Sequence, residues 1–214
     1  YPNEYVVVGA HLDAFDVATG GVDCGSGVSA VMEAARMIMA SGAKPDRTII
    51  FVLFAAEEFG LLGSKAWVEA HKDMLPNISN MFNRDGEPLP YTSCSVPQSM
   101  LKEYEKIAKP IQELYPDYDF KVSAITPFKK PTRTGGNDAS TFSVAGVPAV
   151  QMADWGDPKG YNFQYTEIWH TERDIFNKSI PEYQEQAATT LALMVLGTAN
   201  APKQWPRNEV FLAE

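Results

Sequence analysis

Cysteine and histidine are scarce in this chain: two and three among 214 residues. Cys24 and Cys94 make no disulfide framework and leave the redox compartment undecided. No apolar run is long enough to span a bilayer. Basic residues are outnumbered, 18 Lys and Arg against 27 Asp and Glu, for a formal charge of −9. Without a basic cluster, nucleic acid is a poor partner. No repeat, linker or low-complexity tract divides the chain, so one core and one domain over residues 1–214 are expected. The opening, Tyr1-Pro2-Asn3-Glu4, has no signal-peptide pattern, which reads as a mature chain or a domain cut from a longer one.

What is present is a strand–helix alternation. Tyr5–Gly9 reads as a short buried strand. A Gly-rich loop follows, then apolar residues at helical spacing from Val28 to Ala40 (Val28, Val31, Met32, Ala35, Ile38, Met39), closed by Ser41-Gly42. Thr48–Ala56 is nearly all apolar, with β-branched and aromatic residues prominent. That composition suits a strand covered on both faces, as in a parallel sheet. Leu61–His71 reads as a helix and Ile78–Asn83 as a third strand. A helix over Gln98–Tyr115 should be kinked or split by Pro110. Pro127–Gly136 reads as loop, Gly146–Met152 as a fourth strand, and Asp154–Asn177 as a long loop. Pro181–Leu196 is the closing helix, with Pro in its first turn. The alternation indicates an α/β fold: a three-layer αβα sandwich around a central, mostly parallel (mixed) sheet.

In such sheets, ligands bind beyond the carboxyl ends of the strands. His11 and Asp13 follow the first strand, Glu57 and Glu58 the second, and Asp85 the third. Adjacent acids after a buried strand are costly without partners, so something cationic is expected beside them. Adding Asp23 and His170 gives a nitrogen and carboxylate set suited to zinc, with Mn or Co as substitutes. One catalytic zinc needs about three protein ligands. Two metals about 3.5–4 Å apart would use the surplus, with one carboxylate bridging. That leaves an acid for general-base work and another to orient a histidine. Singly, each element has an ordinary explanation: a structural His-x-Asp, a solvated acidic pair, turn formers at Asp23 and Asp85-Gly86, a loop histidine at 170. Their joint placement at successive strand ends is the signal.

These residues carry a resemblance. The segments Val8-Gly-Ala-His-Leu-Asp13, Gly21-Val-Asp-Cys-Gly-Ser-Gly27, Phe54-Ala-Ala-Glu-Glu-Phe-Gly-Leu-Leu-Gly-Ser64, Asn83-Arg-Asp85, Gly135-Gly-Asn-Asp-Ala-Ser140 and Trp169-His-Thr171 resemble, in order and spacing, the co-catalytic dizinc exopeptidases. That family includes bacterial leucyl aminopeptidase and the glutamate carboxypeptidases, and the plasma carboxypeptidase-like branch is the nearest. The resemblance implies a metallo-exopeptidase hydrolysing a terminal bond of a peptide or dipeptide. His11 and Asp85 would hold one zinc, Glu58 and His170 the other, and Asp23 would bridge them. Glu57 would be the general base, and Asp13 would orient His11. Gly136 and Asn137 would contact substrate. Tyr161, Tyr165 and Arg133 are the candidate oxyanion donors. Asp23-Cys24 is a candidate cis peptide, and family habit implies a secreted or periplasmic location.

Three features depart from the family pattern. Cys24 stands where Asp or Asn is common, and reads as a small, partly buried side chain. Gly86-Glu87-Pro88 replaces the usual apolar continuation after Asp85. The helix and strands that usually precede the His-x-Asp strand are missing, which favours a fragment lacking the N-terminal part of the fold. Two other readings stand beside the exopeptidase: a glutaminyl cyclase-like acyltransferase with one zinc, and a non-catalytic, receptor-like relative. Nothing in the sequence reports the oligomeric state.

Overall fold

The computed structural model describes residues 1–154 and 156–213; Trp155, inside the long loop, and Glu214 lie outside the described residues. Three parallel strands form its first sheet: β1 (Tyr5–His11) in the middle, β2 (Thr48–Phe54) on one side and β3 (Ile78–Asn83) on the other. Alternation along β1 sends Val6, Val8 and Ala10 to one face and Val7 to the other. The first face packs on α1 (Gly25–Ala40), α3 (Leu101–Leu114) and α5 (Pro181–Ala199). The second packs on α2 (Leu62–Ala70) and α4 (Ala139–Val144), through Trp67, Val68 and Phe142. These are the three layers expected. Between Val7 and the sheet's far end, Gly9 leaves room for an aromatic ring: a Cβ there would come within 2.7 Å of the Phe54 ring.

A second sheet continues the layer. Short β4 (Ser93–Val96) pairs parallel with β5 (Lys121–Ala124) and antiparallel with β6 (Met152–Ala153), so the architecture is mixed. The expected strand over residues 146–152 is therefore wrong for most of its length. Pro148 has no N–H to donate. Its carbonyl accepts from the Met81 N–H at 2.8 Å, and the Val150 N–H is taken by the Asn80 side chain at 3.2 Å. A side chain replaces the ladder where a strand was expected.

Other boundaries also move. β2 lies at the edge of its sheet and is half-buried along most of its length, not covered on both faces as its composition suggested. In α1 the buried stripe is Ala30, Val31, Ala34 and Ile38, while Met32 and Met39 face solvent. Pro110 does not split α3, which runs continuously after a 3₁₀ turn at Gln98–Met100.

Candidate metal centre

Every strand of the first sheet delivers its chemistry to one end. β1 ends on His11, which is buried, and its ring nitrogens turn two ways. Nδ1 faces the Asp13 carbonyl oxygen at 2.9 Å, with the Asp13 carboxylate further away at 3.6 Å. Nε2 lies 3.0 Å from Asp23 Oδ1 and 3.5 Å from Asp85 Oδ1. The Asp13 carboxylate itself accepts from the Glu57 and Glu58 amides at 3.0 and 3.2 Å. So Asp13 fixes His11 through its carbonyl and the glutamate turn through its carboxylate.

That turn follows β2 directly. Ala56 precedes Glu57 with φ of 57°, a left-handed conformation that costs a non-glycine residue about 1–3 kcal/mol. The Glu58 side chain is 5% exposed; Oε2 lies 3.0 Å from His170 Nε2, and Oε1 is buried with no hydrogen-bond partner among the described residues. His170, also left-handed at φ 58°, arrives on the long loop. Its ring stacks parallel to Phe15 at 4.2 Å and lies beside the tilted Trp169 ring at 4.1 Å. Its Nε2 is 3.8 Å from Asp23 Oδ2.

Asp23 thus faces both histidines, one with each oxygen. Two potential metal-binding groups result: His11, Asp23, Cys24 and Asp85, and then Asp23, Glu58 and His170. The Asp23–Cys24 peptide is cis. Cys24 is more deeply placed than expected, 1% exposed, with its thiol donating to the Arg84 carbonyl at 3.2 Å. α1 can approach this closely only because position 27 is glycine: a Cβ there would lie 2.1 Å from that carbonyl and 2.4 Å from the Cys24 sulfur. Arg84 is buried, reaching Asp154 Oδ2 at 2.6 Å and the Glu87 and Leu89 carbonyls, with its guanidinium over the Tyr91 ring. It anchors the chain on both sides of Asp85.

A cavity of about 300 Å³ opens over this set, lined by Asp23, Glu57, Glu58, Asp85 and His170, with Gly136, Asn137, Tyr165 and Trp169. All seven expected acid and histidine positions converge on this end of the sheet, and both expected contact residues line the cavity. Of the three oxyanion candidates, only Tyr165 is here, donating to Asp23 Oδ2 at 3.0 Å. Tyr161 is bound to Glu182, and Arg133 is not among the lining residues. Two buried acids escaped the sequence reading. Asp138 has no hydrogen-bond partner for either carboxylate oxygen among the described residues, and burial pushes it up to about 6. Asp174 holds the Asp23 loop; its signal was an acid four residues after His170.

The donors fit a divalent cation. Among the described residues, the ion pairs of Asp23, Glu58 and Asp85 come from His11 and His170. Burial, then the charge of Asp85, pushes Glu57 up to about 8. Burial and Asp23 raise Glu58. Burial pulls His11 down, but Asp23 and Asp85 outweigh it and raise it overall. A raised value means that the folded chain keeps a proton the unfolded chain releases. That stability is present at low pH and lost as pH rises. Stripped of divalent cations, the chain should melt at falling temperature from pH 4.5, the ordinary value for Glu57, up to 8. Added zinc should flatten the trend. Scanning calorimetry on both forms decides it, and a stripped protein equally stable at both limits would refute it.

Comparison with known proteins gives this fold and donor set a family. The profile of peptidase family M28 matches residues 1–195, and the chain belongs to that family. It is 27% identical to carboxypeptidase Q of Rattus norvegicus over 215 residues, covering 97% of this chain and 41% of the rat protein. Among solved structures it resembles a peptidase M28 precursor from Shewanella amazonensis, with a TM-score of 0.76 and 28% identity over 96% of this chain and 43% of that one. It shares its fold with an aminopeptidase from an Aneurinibacillus strain, at TM-score 0.64 and 22% identity over 95% and 45%. The chain thus spans less than half the length of these relatives.

Proposed function

We propose that this chain carries the catalytic centre of a zinc-dependent exopeptidase, removing a terminal residue from a peptide or dipeptide with Glu57 as general base. The observation that supports it best is the pair of donor groups sharing Asp23, with Glu57 beside them and outside both. In this reading His11 and Asp85 would hold one zinc, Glu58 and His170 would hold the other, and Asp23 would be common to both sets. Metal bound there would supply Lewis acidity for a peptide carbonyl and for water.

The chain's own residues do the rest. Glu57, its amide pinned by Asp13, accepts a proton from the attacking water and returns it to the leaving amine. Asp13 keeps His11 in one orientation through its carbonyl. Gly136 and Asn137 form the wall against which the peptide lies. Asn137 is held for this by Gln151, whose Nε2 donates to its Oδ1 at 3.0 Å.

Elemental analysis of the purified chain, followed by hydrolysis of free and N-blocked dipeptides, tests this. The expected result is two zinc ions per chain and release of single amino acids. One zinc, with cyclisation of N-terminal glutamine and no hydrolysis, would instead establish the cyclase. A chain that takes up no zinc in a calorimetric titration would establish the non-catalytic relative.

A further inference from the structure

Asp174 belongs to neither donor group, yet it is 1% exposed at the edge of both. It follows His170 in the same loop, and its N–H donates to the Thr171 carbonyl at 3.1 Å. Its carboxylate accepts from the Val22 amide at 2.7 Å and the Asp23 amide at 3.1 Å. Its carbonyl accepts from the Thr19 amide and hydroxyl and from the Gly21 amide, at 3.3, 3.1 and 3.4 Å. One residue therefore holds the 19–23 loop from both its main chain and its side chain. The two segments lie against each other: a Cβ on Gly21 would fall 2.1 Å from the Ile175 carbonyl carbon.

We propose that Asp174 is a positioning residue of the metal centre, fixing the Asp23 main chain so that its carboxylate faces His11 and His170 at once. This rests on the zinc reading above. Asp23 is the one member common to both groups among the described residues. Its oxygens lie 3.0 Å from one histidine and 3.8 Å from the other, so a small turn of its backbone gains one contact only by losing the other. The Asp174 carboxylate grips the peptide N–H of Asp23 itself, and its own main chain is continuous with the His170 turn. It thereby ties the shared ligand and the distal histidine into one unit. Bonds from amides to a carboxylate are stronger than neutral ones.

Asp174→Asn tests this, because it keeps the shape and turns an NH₂ towards an amide donor. Zinc affinity, measured by chelator competition, should fall about 10–100-fold, the usual loss when a ligand's support is removed. The visible absorption of the cobalt-loaded variant should change as its coordination alters. A residue that merely stabilised the fold would lower the melting temperature of stripped and loaded protein alike and leave that spectrum unmoved. If the variant does not fold, Thr19→Val removes only the hydroxyl contact to the Asp174 carbonyl. It should cost about two- to tenfold in affinity, the worth of one hydrogen bond. Wild-type affinity and spectrum in a folded Asp174→Asn, or wild-type affinity in Thr19→Val when Asp174→Asn fails to fold, would overturn the proposal. Wild-type protein that binds no zinc would instead overturn the reading on which it rests.

Discussion

Glutamine at position 57 should leave zinc uptake at the wild-type level and lower turnover by roughly 10²–10⁴-fold, the usual contribution of a positioned general base. The substitution keeps the shape of the side chain and removes only its ability to accept a proton. Zinc content should hold because Glu57 belongs to neither donor group, although it lines the same cavity. Its position is imposed by its neighbours: Asp13 binds the Glu57 amide and Ala56 is held left-handed just before it. Steady-state kinetics beside elemental analysis separate the roles. Turnover within tenfold of wild type would remove Glu57 from the mechanism, and lost zinc would make it a ligand.

Asp23→Ala should have the largest effect on metal content. Asp23 serves both groups, so its loss leaves His11 with Asp85 and Cys24, and His170 with Glu58 alone. Zinc should fall below one ion per chain, and hydrolysis should fall below detection. A ligand present at 1,000 times its dissociation constant contributes about 4 kcal/mol to stability. Most of the melting-temperature gain on adding zinc should therefore disappear. Asp85→Ala is the contrast: it spares the Glu58 and His170 group, so about one zinc should remain. Calorimetric titration of both variants gives the answer, and two zinc ions retained in Asp23→Ala would exclude a shared aspartate.

Much of this site was legible because strand order and periodicity say where side chains emerge. Val6-Val7-Val8 and Ile49–Phe54 are apolar enough to be strands in almost any context, and parallel pairing then brings His11, Glu57 and Asp85 to one end. What escaped had weak local signals. Ser93-Cys-Ser-Val96 and Lys121-Val-Ser-Ala124 are four residues each and alternate polar with apolar, so neither stands out from loop. α4 spans only six residues and follows Gly-Gly-Asn-Asp, which reads as a turn. The segment 146–152 looked like a strand because its apolar content is right; Asn80, a tertiary partner, takes the hydrogen bonds a strand would need. Asp174 was in plain view beside His170, but its value lies in the amides of residues 22 and 23, which no local pattern reveals. Cys24 departs from the family pattern for a reason the packing shows only in part: its sulfur fills the space that Gly27 leaves open against Arg84.

The parallel register of the first sheet also gives the molecule two chemically different poles. β1 is seven residues long, so Tyr5 stands about 20 Å from His11 along the strand. At the Tyr5 pole, Arg47 pairs with Glu4 and takes the Ala199 carbonyl, locking the first strand, the second and the end of the last helix together. Lys44, exposed on the turn entering β2, lies at this quiet end. A surface tether or fluorophore coupled there would leave the cavity mouth facing free solution, making it the natural handle for immobilising the protein with its reactive pole outward.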